Sequence, residues 1–252
     1  MAKIKDIWEY HGENNPYFAV STFDKYKTEN LNEEIKNEFF ETGETHFIKV
    51  WNEINKYFIN DFRPKRALDF GCGVGRLVIP LSERCEEIVG VDISEKMIDL
   101  AKENCLKMNV TNVSFLQTED FLQKDIEKFS FIHSFIVMQH IEPTVGDKLL
   151  NRMLDLLEDD GIGVLHFTYA NISSAFEFFR FRLYRDFPIV NGLKNLVKRE
   201  KQEPFVPMYL YDINKLLLKF QANNCHRCLL RYTYHGLNGV VFFFQKTKEI
   251  IY

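Results

Sequence analysis

The run Ala67-Leu-Asp-Phe-Gly-Cys-Gly-Val-Gly-Arg76 constrains the fold of this chain more than any other stretch. Ala67 to Phe70 reads as a buried strand. Gly71, Gly73 and Gly75 follow at alternate positions, and Arg76-Leu-Val-Ile-Pro-Leu81 opens a helix. Glycines at such a turn adopt backbone angles that side chains forbid. They also let the main chain approach a ligand closely at a helix N-terminus. The pattern predicts a nucleotide-like cofactor at this turn.

The surrounding chain alternates strand and helix. Glu87 to Asp92 reads as a strand with an acidic end, and Ser94 to Met108 as a helix that Ser94 is placed to cap. Asn112 to Leu116 and Phe129 to Val137 read as strands, Lys148 to Leu157 as a helix stopped by Gly161, and Gly163 to Thr168 as a strand. This order predicts an α/β protein with a mostly parallel sheet and helices on both faces. Asp212 to Asn223 reads as a further helix. Leu229 to Tyr234 and Val240 to Gln245 then form an antiparallel hairpin. Upstream, residues 31–60 carry aromatic and aliphatic residues at helical spacing, and Gly43 is expected to split them into two helices. Residues 1–60 are read as a helical lid, residues 61–252 as the main domain, and about 169–210 as an inserted cap.

Composition narrows the partners. A net charge of -4 argues against a general nucleic-acid binder. No 18-residue apolar run is present and Met1 to Trp8 lacks the apolar core of a signal peptide, so a cytoplasmic protein is expected. Five cysteines at positions 72, 85, 105, 225 and 228 show no disulfide framework. Cys225-His-Arg-Cys228 lacks a second ligand pair, so no metal is expected.

A dinucleotide fingerprint would have its third glycine where Arg76 stands. Asp69 inside the motif, Asp92 at the end of the second strand and the terminal hairpin point elsewhere. Together with Val89-Gly-Val-Asp-Ile-Ser94, Val113 to Asp120, Phe131 to Pro143 and Leu157 to Leu165, they resemble the class I S-adenosylmethionine-dependent methyltransferases. The resemblance covers about residues 60 to 170. It implies a Rossmann-like doubly wound sheet with S-adenosylmethionine as cofactor. It places the turn of Gly71, Gly73 and Gly75 at the methionine moiety, with Asp69 near its amino group, and counts Arg76 among the cofactor-binding residues. Asp92 would take the ribose hydroxyls, Ile93 and Met97 would flank adenine, and Glu119 or Asp120 would receive its amino group. Ser134 and Phe135 would line the cofactor. Ser130 and Thr118 depart from the family pattern, which often has Asp and Gly there.

Methyl transfer from a sulfonium gains much of its rate from positioning, and a hydroxyl acceptor benefits from a general base. His140 and His235 are the candidate bases, with His166 expected to be a core histidine and His11 a weaker candidate. Tyr17, in Asn15-Pro16-Tyr17, is a candidate acceptor contact. Over residues 175–203, 7 basic side chains face 4 acidic ones, so Arg180, Arg182 and Arg185 are candidates for an anionic acceptor. Trp8-Glu-Tyr-His-Gly12, Pro16-Tyr-Phe18 and Phe39 to Glu44 are similar to small-molecule methyltransferases of bacterial surface-polysaccharide pathways. A sugar or phosphorylated-sugar acceptor is therefore expected. The alternatives are an N-methyltransferase, a lipid- or quinone-type O-methyltransferase, a non-catalytic cofactor-binding partner subunit and an NAD-dependent dehydrogenase.

Overall fold

In a computed structural model that describes residues 2–170 and 204–247, seven strands form one sheet in the order β3-β2-β1-β4-β5-β7-β6. The strands are β1 (Arg66–Phe70), β2 (Glu87–Asp92), β3 (Val113–Gln117), β4 (Phe129–Ser134), β5 (Leu157–Ala170), β6 (Arg227–Tyr234) and β7 (Asn238–Gln245). The first five run parallel to one another, and β7 is antiparallel to both β5 and β6. The mostly parallel sheet and the terminal hairpin therefore stand as read from the sequence.

Alternation along the central strands sorts side chains onto two faces. Leu68, Phe70, Ile132, Leu165 and Phe167 pack with α7 (Pro143–Leu156) and α8 (Ile213–Ala222). Ala67, Phe131 and Val164 pack on the other face, with α3 (Glu33–Tyr57) and α4 (Val78–Ser82). Asp69, His133 and His166 share the parity of this second set. All three are buried, which puts three titratable side chains beneath α3.

Several local expectations are corrected. Gly43 does not divide the helical run: α3 is one 25-residue helix, started by Asn32, whose side chain accepts from Ile35 N. The glycine serves packing instead. A Cβ there would lie 2.1 Å from the Arg76 carbonyl oxygen, so α3 seats directly on the end of the glycine turn. Gly161 does not stop α7, which ends at Leu156 and passes straight into β5. The chain turns at Asp160, with φ +63, before Ile162 resumes pairing with Phe131. β4 stops at Ser134 rather than Val137, because Ile136 takes φ +61.

The N-terminal segment lies over the carboxyl ends of the strands. It comprises α1 (Ala2–Asn14), α2 (Pro16–Val20) and two short 3-10 turns. α1 rests on the start of α5 (Glu95–Lys107), where Glu9 caps three donors: Glu95 N at 2.7 Å, Lys96 N at 3.2 Å and Ser94 Oγ at 3.0 Å. A carboxylate at a helix N-terminus also gains from the helix dipole. Among the described residues no helix is long and apolar enough to cross a membrane.

Candidate active site

The three glycines of the turn have φ of +79, +53 and +87, angles that favour glycine at each position. The turn is tied down from several sides. Gly71 N and Cys72 N donate to Val91 O at 2.7 and 3.0 Å. A Cβ on Gly71 would lie 2.2 Å from a Val137 methyl carbon, and one on Gly73 would lie 2.9 Å from Val20 of α2. The loop after β4 and the N-terminal helices thus close on the same few atoms.

Asp92 ends β2 with both oxygens oriented. Gly73 N donates to Oδ2 at 2.9 Å and Ser94 N to Oδ1 at 3.0 Å. Burial nevertheless pushes its carboxyl up to about 6. Ser94 caps α5 as expected, accepting from Met97 N at 3.2 Å. Ile93 is half-buried between the two. Met97 points away into the N-terminal cluster with Tyr17, Phe39 and Val74. The start of α6 (Thr118–Gln123) separates the two candidate acidic residues. Asp120 pairs with Lys124 at 3.1 Å, whereas Glu119 Oε2 is buried with no partner among the described residues.

Unsatisfied polar atoms gather where a polar ligand would sit. Asp69 Oδ2, Arg76 Nε, Glu119 Oε2 and Gln139 Oε1 are all buried and lack a hydrogen-bond partner among the described residues. Such atoms are rare in folded proteins and cost free energy unless a ligand or water meets them. Asp69 gives its other oxygen to His133 Nδ1 at 2.9 Å. Arg76 donates to Thr42 Oγ1 at 3.4 Å, and burial lowers its pKa, opposed by the nearby Asp69 carboxylate. Ser134 donates to Phe70 O at 2.8 Å, so its hydroxyl braces β4 against β1.

The Phe135 ring collects histidines from three elements. His46 of α3, His166 of β5 and His235 of the β6–β7 turn lie at centroid distances of 4.4, 5.2 and 5.7 Å. Burial lowers the pKa of all three: well down for His46, to about 3 for His166, and less for the more exposed His235. All are neutral imidazoles at pH 7. His166 Nε2 contacts Thr233 Oγ1 at 2.9 Å, while its Nδ1 is buried without a partner among the described residues.

His140, the foremost sequence candidate for a base, has both ring nitrogens engaged. Nδ1 donates to Pro207 O at 3.0 Å, and Nε2 meets the Gln139 amide at 3.0 Å. Trp8 packs edge-on against the ring at 5.4 Å. His140 thereby fastens the 204–211 stretch, which also bonds through Tyr209 N to Gln139 O at 2.7 Å and Tyr211 N to Thr168 O at 2.8 Å. Burial brings its pKa down to about 4. His11 is buried among Trp8 and Tyr10, away from the Phe135 cluster.

Tyr17 is placed differently from the expectation that it contacts an acceptor. It is a core residue between Phe39 and Phe40, and its hydroxyl donates to Asn104 Oδ1 at 3.0 Å. Asn104 in turn donates to Val74 O at 2.9 Å, so Tyr17 supports the glycine turn from beneath. Arg180, Arg182 and Arg185 lie outside the described residues. Cys225 is buried, Cys228 is exposed, and neither forms a disulfide. The sequence reading missed Glu9, His46 and His133. His133 comes opposite Asp69 only through the strand register, which no local sequence pattern gives.

Residues 67–161 match the family model described as a methyltransferase domain. Carboxy-S-adenosyl-L-methionine synthase from Nautilia profundicola is 27% identical over 172 residues, 66% of this chain and 72% of that protein. A 23S rRNA (uracil(1939)-C(5))-methyltransferase from Alkalilimnicola ehrlichii is 39% identical over 76 residues, 27% of this chain and 17% of that one. Magnesium protoporphyrin IX methyltransferase from Synechocystis PCC 6803, solved with bound SAH, superposes with a TM-score of 0.58 at 18% identity, covering 92% of this chain and 98% of the other. The chain thus carries a methyltransferase domain over residues 67–161, and the sheet order and the glycine cradle agree with that match. It is an enzyme whose cofactor is S-adenosylmethionine.

The cradle fits that cofactor. Its unsatisfied groups are a carboxylate oxygen at Asp69, a guanidinium nitrogen at Arg76 and a carboxylate oxygen at Glu119. An amino acid moiety at one end and an adenine amino group at the other would use them.

Proposed function

We propose that this enzyme methylates an oxygen of a small polar acceptor, of the sugar or phosphorylated-sugar class. The observation that carries the small-acceptor reading is the cover over the strand ends. Val20 sits on Gly73, Trp8 on His140, and Lys5 donates to Gln117 Oε1 at 3.2 Å at the end of β3. An enclosed site suits a small molecule better than a polymer. The neutral imidazoles around Phe135 suit a hydroxyl acceptor, because they offer lone pairs without a competing positive charge. The excess of basic residues in 175–203 supports an anionic substituent on the acceptor.

The geometry supports the following roles for the chain's own residues. Asp69 Oδ2 accepts from the donor's amino group, and Arg76 faces its carboxylate. Asp92, already oriented by two backbone N–H groups, accepts from the ribose hydroxyls. Glu119 rather than Asp120 takes the adenine amino group, since Asp120 is committed to Lys124. Ile93 flanks the adenine, while Met97 supports α5 from the N-terminal cluster. Bound in this cradle, the sulfonium supplies an activated methyl group. The covering helices exclude water, and Phe135 with its histidines shapes the acceptor side.

The test is incubation with methyl-labelled S-adenosylmethionine and a fractionated extract of sugars, sugar phosphates, quinones, lipids and RNA, read by mass spectrometry. Label on a sugar or sugar-phosphate oxygen supports the proposal, and label confined to RNA, lipid or nitrogen overturns it. The synthase from Nautilia profundicola motivates a second reading, in which the donor itself is converted to a carboxylated form. The same spectra report that product as a new species derived from the donor.

A further inference from the structure

A chain of three polar side chains, two of them buried and His46 partly so, runs from the cofactor cradle to the acceptor side. Asp69 and His133 are register partners on β1 and β4, and strand pairing holds Asp69 Oδ1 and His133 Nδ1 2.9 Å apart. His133 is fully buried, and its Nε2 lies 2.9 Å from Nε2 of His46 on α3. One arrangement of hydrogens satisfies both contacts without an imidazolium. An ionised carboxylate only accepts, so His133 carries its hydrogen on Nδ1. An imidazole whose one hydrogen is on Nδ1 presents a lone pair on Nε2. The contact between the two Nε2 atoms needs one donor and one acceptor, so His46 is protonated on Nε2. Its Nδ1 is left as a lone pair, and the one hydrogen bond of this ring among the described residues is the Nε2 contact to His133.

The position of that nitrogen matters. His46 packs on Phe135, the first residue after β4, where ligands of such sheets bind. The charged and titratable groups facing it are Arg76 from the glycine turn, His133 from β4, His166 from β5 and Lys49 from its own helix. Asp69 reaches it only through His133. Burial and these neighbours keep His46 neutral at pH 7.

We infer that His46 is the general base for the acceptor hydroxyl, with His133 and Asp69 as positioning residues that fix its tautomer. The inference rests on the O-methyl-transfer reading above. In the balanced step the acceptor O–H bond breaks, its oxygen gains the methyl group as the sulfonium becomes a neutral thioether, and the proton goes to His46 Nδ1. One positive charge leaves sulfur as one arrives on imidazole, so the enclosed site keeps its net charge. Asp69 steadies the imidazolium through His133, as the carboxylate of a hydrolase triad steadies its histidine. His140 cannot serve this way, because Pro207 and Gln139 occupy both its nitrogens.

The decisive measurement is nitrogen NMR of histidine-labelled full-length protein with S-adenosylhomocysteine. The expected result at pH 7 is a neutral His46 protonated at Nε2 and a neutral His133 protonated at Nδ1. In His133→Phe, His46 should lose that single tautomer. A wild-type His46 that is cationic at pH 7, or protonated at Nδ1, overturns the inference without any acceptor in hand. A kinetic arm uses the labelled-methyl extract assay. His46→Gln should lower incorporation by at least about a hundredfold, within the range of lost acid–base catalysis, while calorimetry with S-adenosylhomocysteine stays at the wild-type affinity. Wild-type incorporation by His46→Gln with cofactor binding intact refutes the base assignment alone. Absence of S-adenosylhomocysteine binding by the wild-type chain refutes the cofactor reading, and the base assignment falls with it.

Discussion

Asp92 should make cofactor affinity depend on pH in a direction opposite to the stability of the empty protein. Its carboxyl is pushed from the ordinary 3.8 up to about 6 by burial, with backbone N–H groups from Ser94 and Gly73 opposing that rise. In the empty protein the folded value exceeds the unfolded one. The associated stability is therefore complete below about pH 4 and declines as pH rises through about 6. A rise of about two units corresponds to a loss of up to about 3 kcal/mol at pH 7. Ribose hydroxyls can only donate fully to the ionised form, so binding runs the other way. With a value of about 6, roughly a tenth of Asp92 is ionised at pH 5 and roughly nine-tenths at pH 7. Affinity for S-adenosylhomocysteine should then rise about tenfold between those two pH values, about 1.4 kcal/mol. Calorimetry at pH 5, 6 and 7 measures it. His140 and His166 do not confuse the window, because their values lie at about 4 and about 3. Asp92→Asn should bind more weakly at pH 7 and show no slope. A flat wild-type profile, or a slope that survives in Asp92→Asn, refutes the reasoning.

Three substitutions probe how the cradle is supported. Gly43→Ala places a Cβ 2.1 Å from the Arg76 carbonyl and must displace α3, so it should cost about 1–3 kcal/mol in urea unfolding despite the better helix propensity of alanine. A stabilised variant would show that α3 does not seat on the turn. Tyr17→Phe removes the bond to Asn104 and should cost about 1 kcal/mol while leaving acceptor KM unchanged. A raised KM at unchanged stability would return Tyr17 to the acceptor site. Glu9→Ala strips the acceptor for Glu95 N, Lys96 N and Ser94 Oγ, so amide exchange in α1 should speed up by at least about tenfold. Protection equal to wild type would mean that α1 is held by other contacts.

The cradle was legible in the sequence and the relay was not, and the reason is the range over which each is specified. Gly71, Gly73, Gly75 and Asp92 lie within one strand–helix–strand unit, where backbone chemistry ties residue type to position. Glycine is required because φ is positive, and an acidic residue closes β2 because Gly73 N and Ser94 N converge there. Helix starts were legible for the same reason, as at Ser94 and Asp212. Gly43 misled because a helical glycine has two meanings, and only the chain packed against it decides between them. His46 and His133 are 87 residues apart, and His133 and Asp69 are 64 apart. No local pattern marks a histidine inside an otherwise apolar strand as part of a proton path.

What joins the two layers is the seating of α3. The Gly43 contact with the Arg76 carbonyl sets the height of the helix on the turn, and His46 lies three residues further along the same helix. The packing that closes the cradle therefore also brings His46 Nε2 to His133. In this arrangement the donor cradle and the proposed base share one mechanical support. Gly43→Ala should accordingly disturb the His46 tautomer as well as stability, and His46→Gln should disturb neither stability nor cofactor affinity. If Gly43→Ala leaves the nitrogen spectra of His46 and His133 at their wild-type positions while lowering stability, that coupling is wrong and the relay is held by strand pairing alone.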